Sequence, residues 1–196
     1  MSEKKVVAEH IMKKTLTEYL HTPSHDERTE TREFRNAKKE LENIEHLPCF
    51  KCGTHEKLES HHIFERSWGN GFDYRKVAFF LFNHFDFHGH CKRDFKSHEE
   101  LLKFFMDHYN GQIVKDSYID EETNEEIHYE YVMCDDDALD TIYNQWILCH
   151  THHNTPEIGV HYIDGASFMS SLVVHDDFVN VMTEKEAKEW NRENKR

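Results

Sequence analysis

Apolar positions change their period several times along the chain, and each change marks an expected element. From Val6 to Leu20 they recur at helical spacing, at Val7, Ile11, Met12, Leu16 and Leu20, until Thr22-Pro23 stops the run. Ser24-His25-Asp26-Glu27 resembles a capping box and opens a second helix that reaches about Glu45. Few of its positions are apolar, so it reads as a solvated or DNA-grazing arm, and the matching of its basic residues by acids favours the solvated one. After Leu47 a cysteine knuckle and a polar turn lead into a short strand from Leu58 to Phe64. Ser97-His98-Glu99-Glu100 opens a helix that closes near Asn110-Gly111. The runs Ile113 to Ile119 and Ile127 to Met133 then flank Glu122-Thr123-Asn124 as a hairpin. An apolar, β-leaning stretch covers Phe168 to Met182, and Thr183-Glu184-Lys185-Glu186 starts a last helix whose obvious anchor is Trp190.

These patterns predict an α+β chain in four parts. A helical N-terminal arm spans 1–45, a core is assembled from 46–64 and 141–165, an insertion occupies 65–140, and a C-terminal extension covers 166–196. Composition agrees with extended parts: 37% of the 196 residues are hydrophobic and 32% charged, which leaves little apolar surface for one large core. A bound metal would supply part of the missing stability. No run of about 18 apolar residues occurs and no basic start precedes an apolar block, so neither a membrane span nor a secretory signal is expected, and the location is expected to be cytoplasmic. In a reducing compartment the odd count of 5 cysteines, with two in Cys49-x-x-Cys52, reads as a metal site or a redox pair rather than a disulfide.

The net charge of −14 argues against a polyanionic partner, because nucleic-acid binding draws on Lys and Arg. Its distribution weakens that objection. Asp116 to Asp140 holds 11 acidic residues and no Lys or Arg, so the rest of the chain is near balance and a DNA-facing surface remains open to it. The acidic stretch reads as the solvated face of the hairpin, with imitation of DNA charge as the alternative.

Structural zinc takes four soft or borderline ligands in a tetrahedron, often as two pairs with two residues between the members. Cys49 and Cys52 form one such pair, and Cys149 and His152 form the other, with 96 residues between the two pairs. The redox reading needs a thioredoxin-like βαβ context that is not evident. His61-His62-Ile63 ends the predicted strand, where adjacent side chains face opposite ways, so one imidazole can ligate a metal while the other acts elsewhere. That division suits phosphodiester hydrolysis, in which a divalent cation polarises the phosphate and a neutral imidazole takes a proton from water.

Taken together, Cys-x-x-Cys, His61-His62-Ile63, Asn144-Gln145-Trp146-Ile147-Leu148-Cys149 and His152-His153-Asn154 resemble the HNH endonucleases. Gly159-Val160-His161 further resembles small phage-encoded members, for which the location would be the host cytoplasm. The resemblance implies a zinc-stapled ββα-metal core with a long α/β insertion in its ββ loop, and hydrolysis of DNA phosphodiester bonds. It implies His62 as general base, Asn144 as the residue pinning the loop between the strands, and His61 and His153 as ligands of a catalytic Mg2+ or Mn2+, beside structural Zn2+ on Cys49, Cys52, Cys149 and His152. A further ligand is His161 or Glu157; Pro156 and Gly159 interrupt the helix that would present Glu157, which favours His161. Two features depart from the family: 82 positions separate His62 from Asn144, and His152 stands where a cysteine is common. The competing function is a catalytically silent zinc protein that holds a basic protein partner through its acidic insertion; a purely structural zinc module is a third, disfavoured by His61-His62 and His153.

Two smaller signals take the plainer interpretation. His84, Asp86, His88 and His90 would share one face of a strand and could bind a second metal, but among 18 histidines chance clustering is the better account. The aromatic run from Val77 to Phe87 is assigned to the core of the insertion rather than to base stacking.

Overall fold

The structure is a computed structural model, and it describes residues 19–20, 30–120, 123–156, 159–162, 170, 172–176, 181–182 and 184–193. Contacts gather the chain into two compact units, Thr22–Asn180 and a smaller one of Met1–His21 with Val181–Arg196. The architecture is mixed helix and small sheet, an α+β fold.

In the larger unit, helix α1 (Arg32–Lys39) begins at Thr31, whose extended backbone (φ −72°, ψ 172°) and hydroxyl, accepting from the Phe34 N–H, cap it. A helix running unbroken from Ser24 to Glu45 is therefore corrected at Thr31; the Ser24 to Glu27 signal itself lies outside the described residues. Past Lys39 the chain widens into a π-helical turn, Glu40–Ile44. Ala37 and Leu41 are buried, so this segment packs rather than standing off as a solvated arm.

Strand β2 (Leu58–His62) pairs antiparallel with β5 (Gln145–Cys149), with Leu58 opposite Cys149 and His62 opposite Gln145; β1 is the two-residue strand Tyr19–Leu20 of the smaller unit. Helix α5 (His150–Asn154) follows β5 directly. Between the two strands come α2 (Tyr74–Asn83), α3 (His90–Asp94), α4 (His98–His108) and an antiparallel hairpin, β3 (Gln112–Ile119) with β4 (Glu126–Met133). The hairpin and α4 stand where their patterns predicted them.

Residues 63–139 build the main core. Phe64, Phe72, Tyr74, Val77, Leu81, Leu101, Phe105 and Leu139 are fully buried together, and Val173 joins them from beyond β5. At roughly 1.5–3 kcal/mol for each large apolar side chain, this cluster is the dominant source of stability. The aromatic run is thus core, on α2, as expected. A smaller cluster, Cys49, Leu148, Cys149 and Val160, lies under the cysteine knuckles, and Trp146 packs against both.

The buried Asp73 carboxylate joins these parts: its Oδ1 accepts from the Arg75 N–H, capping α2, and from the Val132 N–H of β4, both at 3.1 Å. The His84 to His90 cluster is not a strand, and its members part. His90 Nε2 bonds Glu45, His88 Nε2 accepts from the Ile147 N–H at 3.2 Å, and Asp86 accepts from the N–H groups of Cys91 and Lys92. They do not meet as a second metal site.

In the smaller unit β1 pairs antiparallel with β6 (Val181–Met182), and α6 (Glu184–Glu193) follows. Tyr19 and Leu20 are strand where the pattern predicted the end of a helix; residues 6–18 lie outside the described residues. On α6 the buried residue is Ala187, whereas Trp190, the expected anchor, is 43% exposed. Among the described residues no helix is long and apolar enough to cross a membrane.

Asp73→Ala leaves the buried Val132 N–H without an acceptor and uncaps α2. Urea unfolding should show a loss of about 2–4 kcal/mol, against less than about 0.5 kcal/mol for an exposed control such as Lys103→Ala.

Candidate functional site

The knuckles meet at one end of the β2–β5 pair. The Cys49 N–H donates to Thr54 O and the Gly53 N–H to Cys49 O, both at 2.8 Å, a turn that Gly53 closes at φ 73°, where a side chain would be strained. Cys149 ends β5 and caps α5, which turns His152 back toward it. His152 Nδ1 lies 3.2 Å from Cys149 Sγ and 3.6 Å from Cys49 Sγ, and Cys52 Sγ lies 3.9 Å from Cys149 Sγ. A zinc ion with Zn–S bonds of 2.3 Å has tetrahedron edges of about 3.8 Å, so the donors fit one. Burial opposes ionisation of Cys49, but backbone hydrogen bonds from Cys149, Cys52 and Lys51 and the His152 ring outweigh it and bring the thiol down to about 6. The four residues named from spacing thus come together as a Cys3His group that could hold zinc.

A second group forms on one face of β2. The ligand atoms of His61, His153 and His161 all lie within 4.8 Å of one another, and His153 Nε2 and His161 Nε2 are 3.0 Å apart. His161 reaches this point because the chain doubles back over α5. A Cβ on Gly159 would stand 2.7 Å from His153 O, so only glycine permits the approach. His61 is buried, and among the described residues its Nε2 has no hydrogen-bond partner. An unpaired buried nitrogen costs about 1–3 kcal/mol, a cost that a metal bond would remove. Burial, and then the neighbouring His161, His153 and His62, drive the His61 value down to about 2, so it stays neutral and ligand-ready. Burial and His153 lower His161 likewise. Glu157, the alternative ligand, lies outside the described residues.

Glu59 also belongs to this face and was missed. Its carboxylate accepts from His153 Nδ1, from His150 Nδ1 at 2.8 Å and from Asn154 Nδ2 at 2.6 Å, which turns His153 Nε2 toward His61 and His161. Burial would raise its carboxyl, but the bonds to His153 and His150 hold it below the usual range. The signal was available: Glu59 and His61 are two apart on a strand and share a face.

His62 points the other way. Its Nε2 lies 2.8 Å from Asp140 Oδ1, and its ring stacks on Phe34 of α1 at 5.0 Å and 20°. Burial acts to raise the Asp140 carboxyl, but hydrogen bonds from His62 and Thr31 and the charges of His62 and Arg66 outweigh it and leave the carboxyl below its usual value. Asn144 is fully buried and pins the connection between the strands: its Oδ1 accepts from the Phe64 N–H, and its Nδ2 donates to Phe64 O and Leu139 O. Two imidazoles of opposite orientation on one strand, with a fixed loop between them, can hold a cation on one side and move a proton on the other.

Cys149→Ser should remove bound zinc, read by elemental analysis, and lower the melting temperature by about 10 °C or more. Because His61 has a lower value folded than unfolded, its contribution is full above about 6.5, the unfolded value, and is lost as pH falls toward about 2. Metal-free protein should lose about 1 kcal/mol per pH unit below 6.5 from this group, and His61→Leu should flatten the profile in denaturant titrations.

No family model matches the chain, and searches among curated proteins and among solved structures find no match either.

Proposed function

We propose that this chain is a metal-dependent endonuclease of the HNH, ββα-metal type, which hydrolyses DNA phosphodiester bonds with water as the nucleophile and carries a structural zinc. The observation that carries this reading is the division of β2: His61 gathers with His153 and His161, while His62, one residue on, faces Asp140. Of the two cations expected, manganese suits three imidazoles better than magnesium, which takes oxygen ligands. When bound there, the cation would polarise a phosphoryl oxygen and steady the leaving oxygen.

The remaining steps belong to the chain. His62 Nε2 is engaged by Asp140, which leaves Nδ1 to take the proton of the attacking water. Asn144 keeps Phe64 and Leu139 in place and so holds the two ends of the long connection together around His62. Glu59 fixes the tautomer and orientation of His153. The zinc group ties the start of β2 to the end of β5 and keeps His61 in line with α5.

One observation favours a second reading. The His62 side chain is only 21% exposed beneath Phe34, as it would be in a catalytically silent zinc protein that holds a basic partner through the acidic stretch. Supercoiled plasmid separates the two. Nicking is expected with Mn2+, should vanish with chelator, and should fall at least 100-fold in His62→Ala while zinc content stays unchanged. If zinc-loaded protein cuts neither plasmid nor single strands with Mn2+ or Mg2+, the second reading replaces the first.

A further inference from the structure

Asp140 closes the acidic stretch, and nothing in the order of residues separates it from the ten acids before it. Its surroundings do. The Asp140 side chain is 2% exposed, and both oxygens are engaged. Oδ1 lies 2.8 Å from His62 Nε2, and Oδ2 accepts from the Thr31 hydroxyl at 2.6 Å, with Arg66 Nε 3.4 Å away. Its backbone is held as firmly. Leu139 O, one residue earlier, accepts from Asn144 Nδ2 at 2.9 Å and from Gln145 Nε2 at 3.3 Å, so the carboxylate is referred directly to the start of β5. Thr31 works twice, accepting from the Phe34 N–H while donating to Asp140, so the residue that caps α1 also sets the Phe34 ring over His62.

The imidazole is therefore fixed in three ways, by the carboxylate at Nε2, by the phenyl ring on its face and by the backbone of β2. It borders a cavity of about 250 Å³ lined by Thr31, Phe34, Glu65, Arg66 and Asp140. A water takes about 30 Å³ of liquid volume, so the space is ample for the attacking water. Arg66 Nε is buried on the same wall, where it forms an ion pair with Asp140.

We propose that Asp140 is the positioning residue for His62: it accepts the Nε2–H, and so presents Nδ1 as the proton acceptor toward the cavity. This rests on the nuclease reading above. In the step, a water O–H bond breaks and its proton passes to His62 Nδ1. The water oxygen bonds to phosphorus, the bond from phosphorus to the leaving sugar oxygen breaks, and that oxygen takes a proton from solvent. The Asp140 carboxylate faces the imidazolium that forms and stabilises it without itself taking the proton. The acidic stretch would then contribute one residue to the site that the rest of the chain builds.

The test compares wild type, His62→Ala, Asp140→Ala and the isosteric Asp140→Asn for plasmid cleavage with Mn2+, zinc content, and the His62 tautomer by nitrogen-15 NMR. Asp140→Asn should lower kcat about 100-fold with KM within about twofold and zinc unchanged. Wild-type His62 should be protonated at Nε2, and the Asn amide should shift the ring toward Nδ1–H. Wild-type kcat in Asp140→Asn overturns the proposal, as does an Nδ1–H tautomer in the wild type. Lost activity with an unshifted tautomer also overturns it, since Asp140 would then be structural only. If the wild type cuts nothing, the nuclease reading falls, and the tautomers alone decide whether Asp140 sets the ring.

Discussion

Five residues of β2 lie antiparallel to five of β5, and that register decides which side chains of the whole larger unit can meet. With Leu58 opposite Cys149, the turn that carries Cys49 and Cys52 comes beside the start of α5, where Cys149 and His152 stand. With His61 opposite Trp146, the same strand sends His61 toward α5 and His62 toward α1. A slip of one residue would exchange the two histidines between faces and separate the sulfur ligands. Two strands cannot hold so exact a pairing unaided, since an isolated pair is marginal in water. The knuckles clamp one end, and Asn144, bonded to Phe64 and Leu139, clamps the other.

The long connection between the strands follows from that second clamp. A chain of this length can leave and return at little entropic cost once its ends are fixed, because closure entropy grows only slowly with loop length. What it builds is more than a spacer. Phe64 and Ile63 at its start and Leu139 at its end lie in the same core as α2, α4 and β4, so the largest apolar cluster among the described residues backs the strand pair. Asp73 repeats the device on a smaller scale, joining the start of α2 to β4 through one buried carboxylate.

Carboxylates thus organise both histidine faces. Glu59 orients His153 from within β2, and Asp140 meets His62 from the far end of the connection. Each accepts from more than one donor, which offsets the desolvation that would otherwise favour its protonated form. The overall negative charge of the chain therefore says little about these two residues.

By itself the order of residues determined what depends on short spacing: the two pairs of zinc donors, α4 between its cap and Asn110-Gly111, the hairpin, and the opposite facing of His61 and His62. Each is a matter of helical or strand period, or of a knuckle whose ligands lie two apart, and those periods are properties of the local backbone. Tertiary structure decided the rest. The helix expected to run unbroken to Glu45 has a start of its own after Thr31, where the hydroxyl finds both the Phe34 N–H and Asp140. The histidines from His84 to His90 alternated as a strand would need, yet packing of α2 and α3 into the core gave them separate partners. Asp140 could not be told from its acidic neighbours, because what sets it apart is a contact with His62, 78 positions away, and such a contact leaves no period in the chain.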